Sequence, residues 1–299
     1  MANLRDIRNR ITSVNNTQQI TKAMKMVAAA KLRKAQNRMT SMRPYASKLK
    51  EVVSRLGAAS DGSIALLRKP ETTKRILLVV VGSDKGLCGG FNNNLFKVVE
   101  QSISDHYKQL NDEGMLDIIT VGRKSTVYFK KREYNVVDEY PGFFDNLEYD
   151  VTADIMEHAI STFTDGYYDK VLIGYNEFKS VIAQERKVVQ VLPVDTASLD
   201  SDESNEEEKE TNTDYIYEPD SSSILDEILP VYVIMQLWRA VLESNASEQG
   251  ARMAAMDNAT ENAKELEEDL TLEYNQARQS AITTEISEIV SGAQALEES

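Results

Sequence analysis

An α/β domain joined to a long antiparallel coiled coil, built from the chain's own N- and C-terminal helices, is the fold this sequence predicts. Three observations carry it. Val231 to Gly292 contains no proline and one interior glycine, Gly250, where a globular stretch of that length turns several times. Residues 3–56 repeat their apolar positions by three and four, as a helix with one buried seam does. Between these two segments, short apolar runs alternate with helical patterns, the signature of a layered domain with a mainly parallel sheet.

The C-terminal segment is predicted as one helix. At about 1.5 Å per residue it runs roughly 90 Å, too far for one small domain to cover, so it needs a partner helix or a sheath. Leu242, Ala246, Gln249, Met253, Met256, Thr260, Ala263, Leu270, Tyr274, Ala277 and Ala281 form a seam, and its many small residues ask the partner to come close. The end differs in character. Ile282, Ile286, Ile289, Val290 and Leu296 set bulky aliphatics on more than one side around Gly292, and such a tip suits an apolar socket.

The N-terminal helix offers Leu4, Ile7, Ile11 and Val14, then, after an expected shift of register, Ala28, Leu32, Ala35, Met39, Met42, Ala46, Leu49, Val53 and Leu56. Pro44 is expected to bend or break it. Residues 1–56 carry thirteen basic and two acidic side chains, net +11; residues 231–299 carry four and thirteen, net −9. A basic helix face is a candidate for nucleic acid or anionic lipid, but the chain supplies its own acidic complement and shows no aromatic interleaving, so no nucleic-acid partner is expected. The helices are expected to pair antiparallel, with positions near Met26 beside the final third of the C-terminal helix and the turns from about Ile282 projecting beyond the partner.

Gly57 to Pro70 reads as a linker. Arg75 to Val81 is a continuous apolar run ending at Gly82, as expected of a strand buried on both faces. There follow a helix over about 92–110, a strand over 117–121, a helix near 124–132, a strand near Val136, a helix over 153–164 and a strand over 170–175. The stretch 181–192 reads as a further strand, hairpin-paired with the last through 176–180. This is a small Rossmann-like arrangement. Asp200 to Glu210 has seven acids, one lysine and no apolar residue, and is expected to be a solvated loop that binds no metal. Tyr215 to Tyr217 is a candidate edge strand, Ser221 to Ser223 are candidate N-caps, and Pro230 is a candidate kink. The expected divisions are 1–57, 75–195, 196–220 and 221–299.

Gly82 to Asn94, GSDKGLCGGFNNN, tempts a catalytic reading because phosphate loops also follow a strand and precede a helix. The glycines at 82, 86, 89 and 90 do not make GxGxxG, and no Gly-Lys-Ser/Thr closes a P-loop. A tight strand-to-helix turn is the better account, and no cofactor or direct nucleotide binding is expected. Cys88 is the single cysteine, so internal disulfides are excluded; the two histidines, His106 and His158, fall in predicted helices without a visible orienting partner for a thiol nucleophile. With 41% hydrophobic and 27% charged residues, the composition is that of an ordinary soluble chain, and no apolar run approaches a membrane span. The first ten residues lack the features of a secretory or import leader, so a cytoplasmic location is expected.

Three segments carry a family resemblance. NLRDIRNRITSVNNTQQITKAMKMVAAAKLRKAQ, DKGLCGGFN and ARQSAITTEISEIVSGAQAL resemble the hallmark segments of the gamma subunit of rotary F-type ATP synthases, in the same order over nearly the whole chain. The most specific part is Ile282-Thr283-x-Glu285-x-x-Glu288-x-x-x-Gly292-Ala293-x-Ala295. The acidic stretch 200–210 looks like an insertion in that pattern, and the cysteine-pair insert of chloroplast members has no counterpart.

The resemblance implies a non-catalytic central-stalk rotor. It would couple proton-driven rotation of the c-ring to ATP synthesis or hydrolysis, with a coiled-coil shaft inside three alpha and three beta subunits and the α/β domain gripping epsilon and the c-ring. The chemistry would belong to beta, and the location to the cytoplasmic face of a bacterial inner membrane, through the complex. By motif position, Arg252, Arg278, Gln279, Thr283 and Glu285 resemble residues that engage catalytic-subunit loops, while Lys25 and Met26 resemble positions beside the lever segment of beta. Each also has a plain alternative as a solvated helix residue or seam packing. On residues alone, a coiled-coil adaptor and a nucleotide-binding α/β enzyme with a helical arm remain alternative functions.

Overall fold

The strands form where β-branched and aliphatic residues run together, and the computed structural model, which describes residues 4–58, 64–196, 218 and 220–297, assembles them into one five-stranded sheet. Strand β1 (Ile76–Val81) lies at the centre, and the spatial order is β3-β2-β1-β4-β5. β2 (Leu116–Val121), β3 (Asn135–Tyr140) and β4 (Lys170–Phe178) extend the sheet in parallel, and β5 (Gln184–Leu192) closes one edge as an antiparallel hairpin with β4. The mainly parallel sheet and the hairpin are therefore as the sequence predicts. All six residues of β1 are buried because both faces are covered, and alternate side chains leave the strand in opposite directions.

Ile76, Leu78 and Val80 pack into one core with Leu95, Phe96 and Val99 of α2 (Phe91–His106) and Phe129 of α4 (Arg123–Lys131). Leu77, Val79 and Val81 pack into the other with Ile155, Ala159 and Phe163 of α5 (Tyr149–Thr164), Val53 and Leu56 of α1 (Leu4–Ala58), and Leu225, Leu229, Leu237 and Val241 of α6 (Ser221–Glu297). The helix expected over 92–110 divides at Tyr107, giving the short α3 (Lys108–Asp112), because the Tyr107 ring packs back against the first core. At the same end of the sheet, where the strands begin, the fully buried Asp117 carboxylate accepts from Arg75 Nε (3.1 Å) and the Tyr168 hydroxyl (2.8 Å). Burial, and then that acid, push the Tyr168 hydroxyl pKa upward.

Two compact units are present: Ala30–Ala251, which holds the sheet, and Met1–Ala29 with Arg252–Ser299. In the second, α1 and α6 run antiparallel, since partners on α6 fall in number as those on α1 rise. Arg8 donates to the Tyr274 hydroxyl (2.6 Å), Asn15 to Glu267 (2.9 Å), Thr21 meets Thr260 (2.8 Å), and Lys25 pairs with Asp257. This register corrects one expectation. Met26 lies level with the middle of the C-terminal helix, not its final third, because α6 outruns α1 at its C-terminal end.

Several other expectations are also corrected. The α1 seam has no register shift: Gln18, Thr21 and Lys25 are covered positions that continue the steps of three and four between Val14 and Ala28, invisible to a hydrophobic reading because they are polar. The helical assignment runs through both Pro44 and Pro230, so neither breaks its helix, although each removes one main-chain donor. The linker is partly core, since Ile64 and Leu66 are buried around a 3-10 turn at Ala65–Leu67, an apolar group too short to show periodicity. The α6 cap is Asp220, whose carboxylate accepts from the Ser223 amide (2.9 Å) and hydroxyl (2.8 Å); those bonds hold its pKa below the usual value. The acidic stretch 200–210 and the candidate strand 215–217 lie outside the described residues.

Candidate functional site

The strand-to-helix turn after β1 is where an α/β sheet would hold a ligand, at the carboxyl ends of its strands. Here the turn is filled by the chain itself. Asp84, on the loop from β1, is buried and accepts from the main-chain amides of Arg123 (2.9 Å), Gly142 (2.6 Å) and Phe144 (2.8 Å). Three converging amides are an anion cradle, and a carboxylate of the protein occupies it.

Asn92, in the first turn of α2, ties the other side. Its Oδ1 accepts from the Ser83 amide (3.0 Å), and its Nδ2 donates to Ser83 Oγ (2.8 Å) and Cys88 Sγ (3.4 Å). A Cβ on Gly82 would crowd its neighbours, sitting 3.0 Å from Ser125 Cβ and 3.2 Å from the Phe96 ring. Gly122 has φ +95 and lies against the Ser83 main chain, so β1 and β2 end in two turns packed back to back. Cys88 is buried, consistent with packing rather than thiol chemistry. Lys85 reaches Asp145 (2.6 Å), a hydrogen bond that lowers the acid's pKa. Among the described residues no group of three or more His, Cys, Asp or Glu is placed to hold a metal. No described helix is long and apolar enough to cross a membrane.

The other candidate residues lie on the terminal helices, in two groups. Lys25 and Met26 on α1 sit about one turn from Arg252 on α6, given the Lys25–Asp257 pair. Lys25 is half-buried with its charge matched, whereas Met26 is 61% exposed with Ile20 and Val27 also exposed nearby. Met26 is therefore outside the seam, and Ile20 and Val27 lie outside it too, off the heptad positions that mark buried residues. Arg278, Gln279, Thr283 and Glu285 form the second group, all exposed, with Thr283 Oγ1 donating to the Gln279 carbonyl (2.9 Å). On α6 twenty-five residues lie between Arg252 and Arg278, roughly 40 Å of helix, so the structure does not bring the two groups into one site. From Arg278 to Ala293 every residue is exposed, because the antiparallel register exhausts α1 at Leu4. Ala281 thus leaves the seam it was expected to extend.

Comparison with known proteins agrees over the full length. The model of the ATP synthase family matches residues 3–296. ATP synthase gamma chains from Chlorobaculum tepidum and Salinibacter ruber are 48% and 47% identical, each comparison covering 100% of both chains. A chain in the central stalk and c-ring of the Tetrahymena thermophila mitochondrial ATP synthase superposes with a TM-score of 0.56 at 28% identity, over 80% of this chain and 99% of that one. A chain of the Euglena gracilis mitochondrial ATP synthase rotor superposes with a TM-score of 0.64 over 93% and 98%, a likeness that at 18% identity concerns the fold. The chain belongs to the family of ATP synthase gamma chains.

Proposed function

We propose that this chain is the central-stalk rotor subunit of an F-type ATP synthase, coupling ion-driven rotation of a c-ring to ATP synthesis or hydrolysis in a hexamer of three alpha and three beta subunits. The observation that carries the reading is full-length similarity to gamma chains in a chain whose two termini form a polar-matched antiparallel pair. Such a pair resists twisting better than one helix, and an apolar end turns in an apolar sleeve because its contacts lack directionality.

In this reading the chain is not itself catalytic. An off-axis shaft presents a different face to each beta subunit and so biases each toward a different nucleotide state. Lys25, Met26 and Arg252 contact beta at one level, and Arg278, Gln279, Thr283 and Glu285 contact alpha or beta loops near the tip. The sheet domain, residues 75–195, meets epsilon and the c-ring, and the chain is peripheral to the cytoplasmic face of the bacterial inner membrane through those partners. Support for the non-catalytic role comes from the Asp84 carboxylate, which fills the cradle a phosphate would need.

Co-purification from membranes tests the proposal. A complex with alpha and beta in three-to-one ratio to this chain, together with epsilon and c, is the expected result. Recovery without alpha and beta would favour the adaptor, and saturable ATP binding by the purified chain would favour the nucleotide enzyme.

A further inference from the structure

One surface of the sheet unit is held by polar contacts where apolar ones would suffice. The β1–β4 ladder ends at Gly174, and two residues later the main chain of Asn176 turns to α6. Its amide donates to Ser244 Oγ (3.2 Å), and its carbonyl accepts from Ser247 Oγ (3.2 Å), with all three residues fully buried. One residue along the strand, the buried Glu177 carboxylate lies 2.8 Å from Lys179 Nζ and 2.9 Å from Lys187 Nζ, both on the β4–β5 hairpin. Its other oxygen faces Arg239 of α6 at 3.7 Å, and Arg239 Nε donates to the buried Glu243 (2.8 Å). Three turns beyond Arg239, a Cβ on Gly250 would come within 3.3 Å of the Val181 carbonyl at the hairpin tip. The helix and the hairpin thus meet by direct backbone approach.

Apolar packing fixes how close two elements lie but tolerates sliding and rolling, because it is non-directional. A pair of hydrogen bonds in which Ser244 accepts and Ser247 donates, one turn apart on α6 and both to a single strand residue, tolerates neither. A displacement of α6 by one residue, about 1.5 Å along its axis and about 100° around it, breaks both. From this geometry we infer that Ser244, Ser247 and the Glu177–Arg239–Glu243 chain are positioning residues that fix the axial and rotational setting of α6 on the sheet, so that force applied to the sheet unit is delivered through the helix rather than lost as slip. This rests on the rotor reading above. It adds where the force crosses, which neither the family nor the seam specifies.

The test compares wild-type chain with Ser244→Ala/Ser247→Ala and with Arg239→Met, each built into the complete synthase in liposomes and normalised to intact complex. Rates of ATP hydrolysis and of ion-driven ATP synthesis, and the torque of single rotors, are measured. Hydrolysis within about twofold of wild type, with synthesis and torque falling about threefold or more, is the expected result. Arg239→Lys should recover part of the loss, since it keeps the charge facing Glu177. A variant that only destabilised the fold would lower the yield of complex but leave torque per complex unchanged, and that outcome overturns the inference.

Failure of the wild-type chain to rotate at all would instead remove the rotor reading. The clamp is then judged by hydrogen exchange in the full chain alone: amides over 239–250 should exchange about tenfold faster in the serine variant, and unchanged protection rejects it.

Discussion

At the scale of single residues, the Asp84 carboxylate occupies the turn where a phosphate would have to sit. A strand, a glycine-bearing turn and a helix are the parts of a phosphate site, but residues 82–94 lack the motif positions of one. In the structure a resident carboxylate takes the three main-chain amides of the turn. Asp84→Ala leaves those amides unpaired in a buried turn, and the unfolding free energy in a urea titration should fall by about 3–5 kcal/mol. A loss below about 1 kcal/mol would mean that water or a shifted loop replaces the carboxylate easily.

Glu177 gives the same scale a pH dependence. Burial alone would raise its pKa, but hydrogen bonds and charge from Lys179 and Lys187 outweigh it and bring it down to about 2. A carboxylate with a depressed folded pKa contributes stability that is present above its ordinary value and lost as pH falls toward the folded one. The melting temperature should therefore drop between about pH 4.5 and pH 2, and Glu177→Gln should flatten that part of the profile. An identical acid limb in the variant would assign the acid sensitivity to other groups.

At the scale of elements, the two long helices were legible because a seam that repeats by three and four over fifty residues has no other explanation. The strands were legible as apolar runs too short for helices. What was not legible was polar. Gln18, Thr21 and Lys25 look like a break in the seam, yet they occupy covered heptad positions, with Thr21 on Thr260 and Lys25 on Asp257. Likewise Asp220 takes the cap that three serines seemed to offer, because its carboxylate reaches both the amide and the hydroxyl of Ser223.

Of the candidate site, motif positions were legible but their separation was not. Lys25 and Arg278 belong to levels far apart on α6, a fact that only the register supplies. Cysteine pairs test that register. Ile11→Cys with Leu270→Cys lies between the Arg8–Tyr274 and Asn15–Glu267 contacts and should oxidise readily, while Met26→Cys with Ile286→Cys should not crosslink within one chain. Efficient formation of the second crosslink would mean that the helices are offset by several heptads from the register described.

At the scale of the whole molecule, the chain is built so that part of it is unsatisfied alone. Beyond Arg278 the C-terminal helix has no α1 beside it, and Ile282, Ile286, Ile289 and Val290 are 47%, 56%, 65% and 57% exposed. The first three step by four and three, so they form one stripe, and Val290 widens it. Burying each such side chain is worth about 1.5–3 kcal/mol, and a partner that covers the stripe therefore gains several kcal/mol before ordering costs. In the proposed complex that partner is the alpha–beta sleeve. In its absence the nearest available apolar stripe is the same segment of another copy. The purified chain should accordingly self-associate at tens of micromolar by sedimentation velocity, a range that matches a modest stripe of this size. Ile286→Gln with Ile289→Gln should return it to a monomer without changing its melting temperature, since neither side chain touches the seam or the sheet cores. A wild-type chain that stays monomeric at about 100 μM would show the stripe too weak to drive association, and the socket would then have to hold the tip chiefly through Arg278, Gln279 and Glu285.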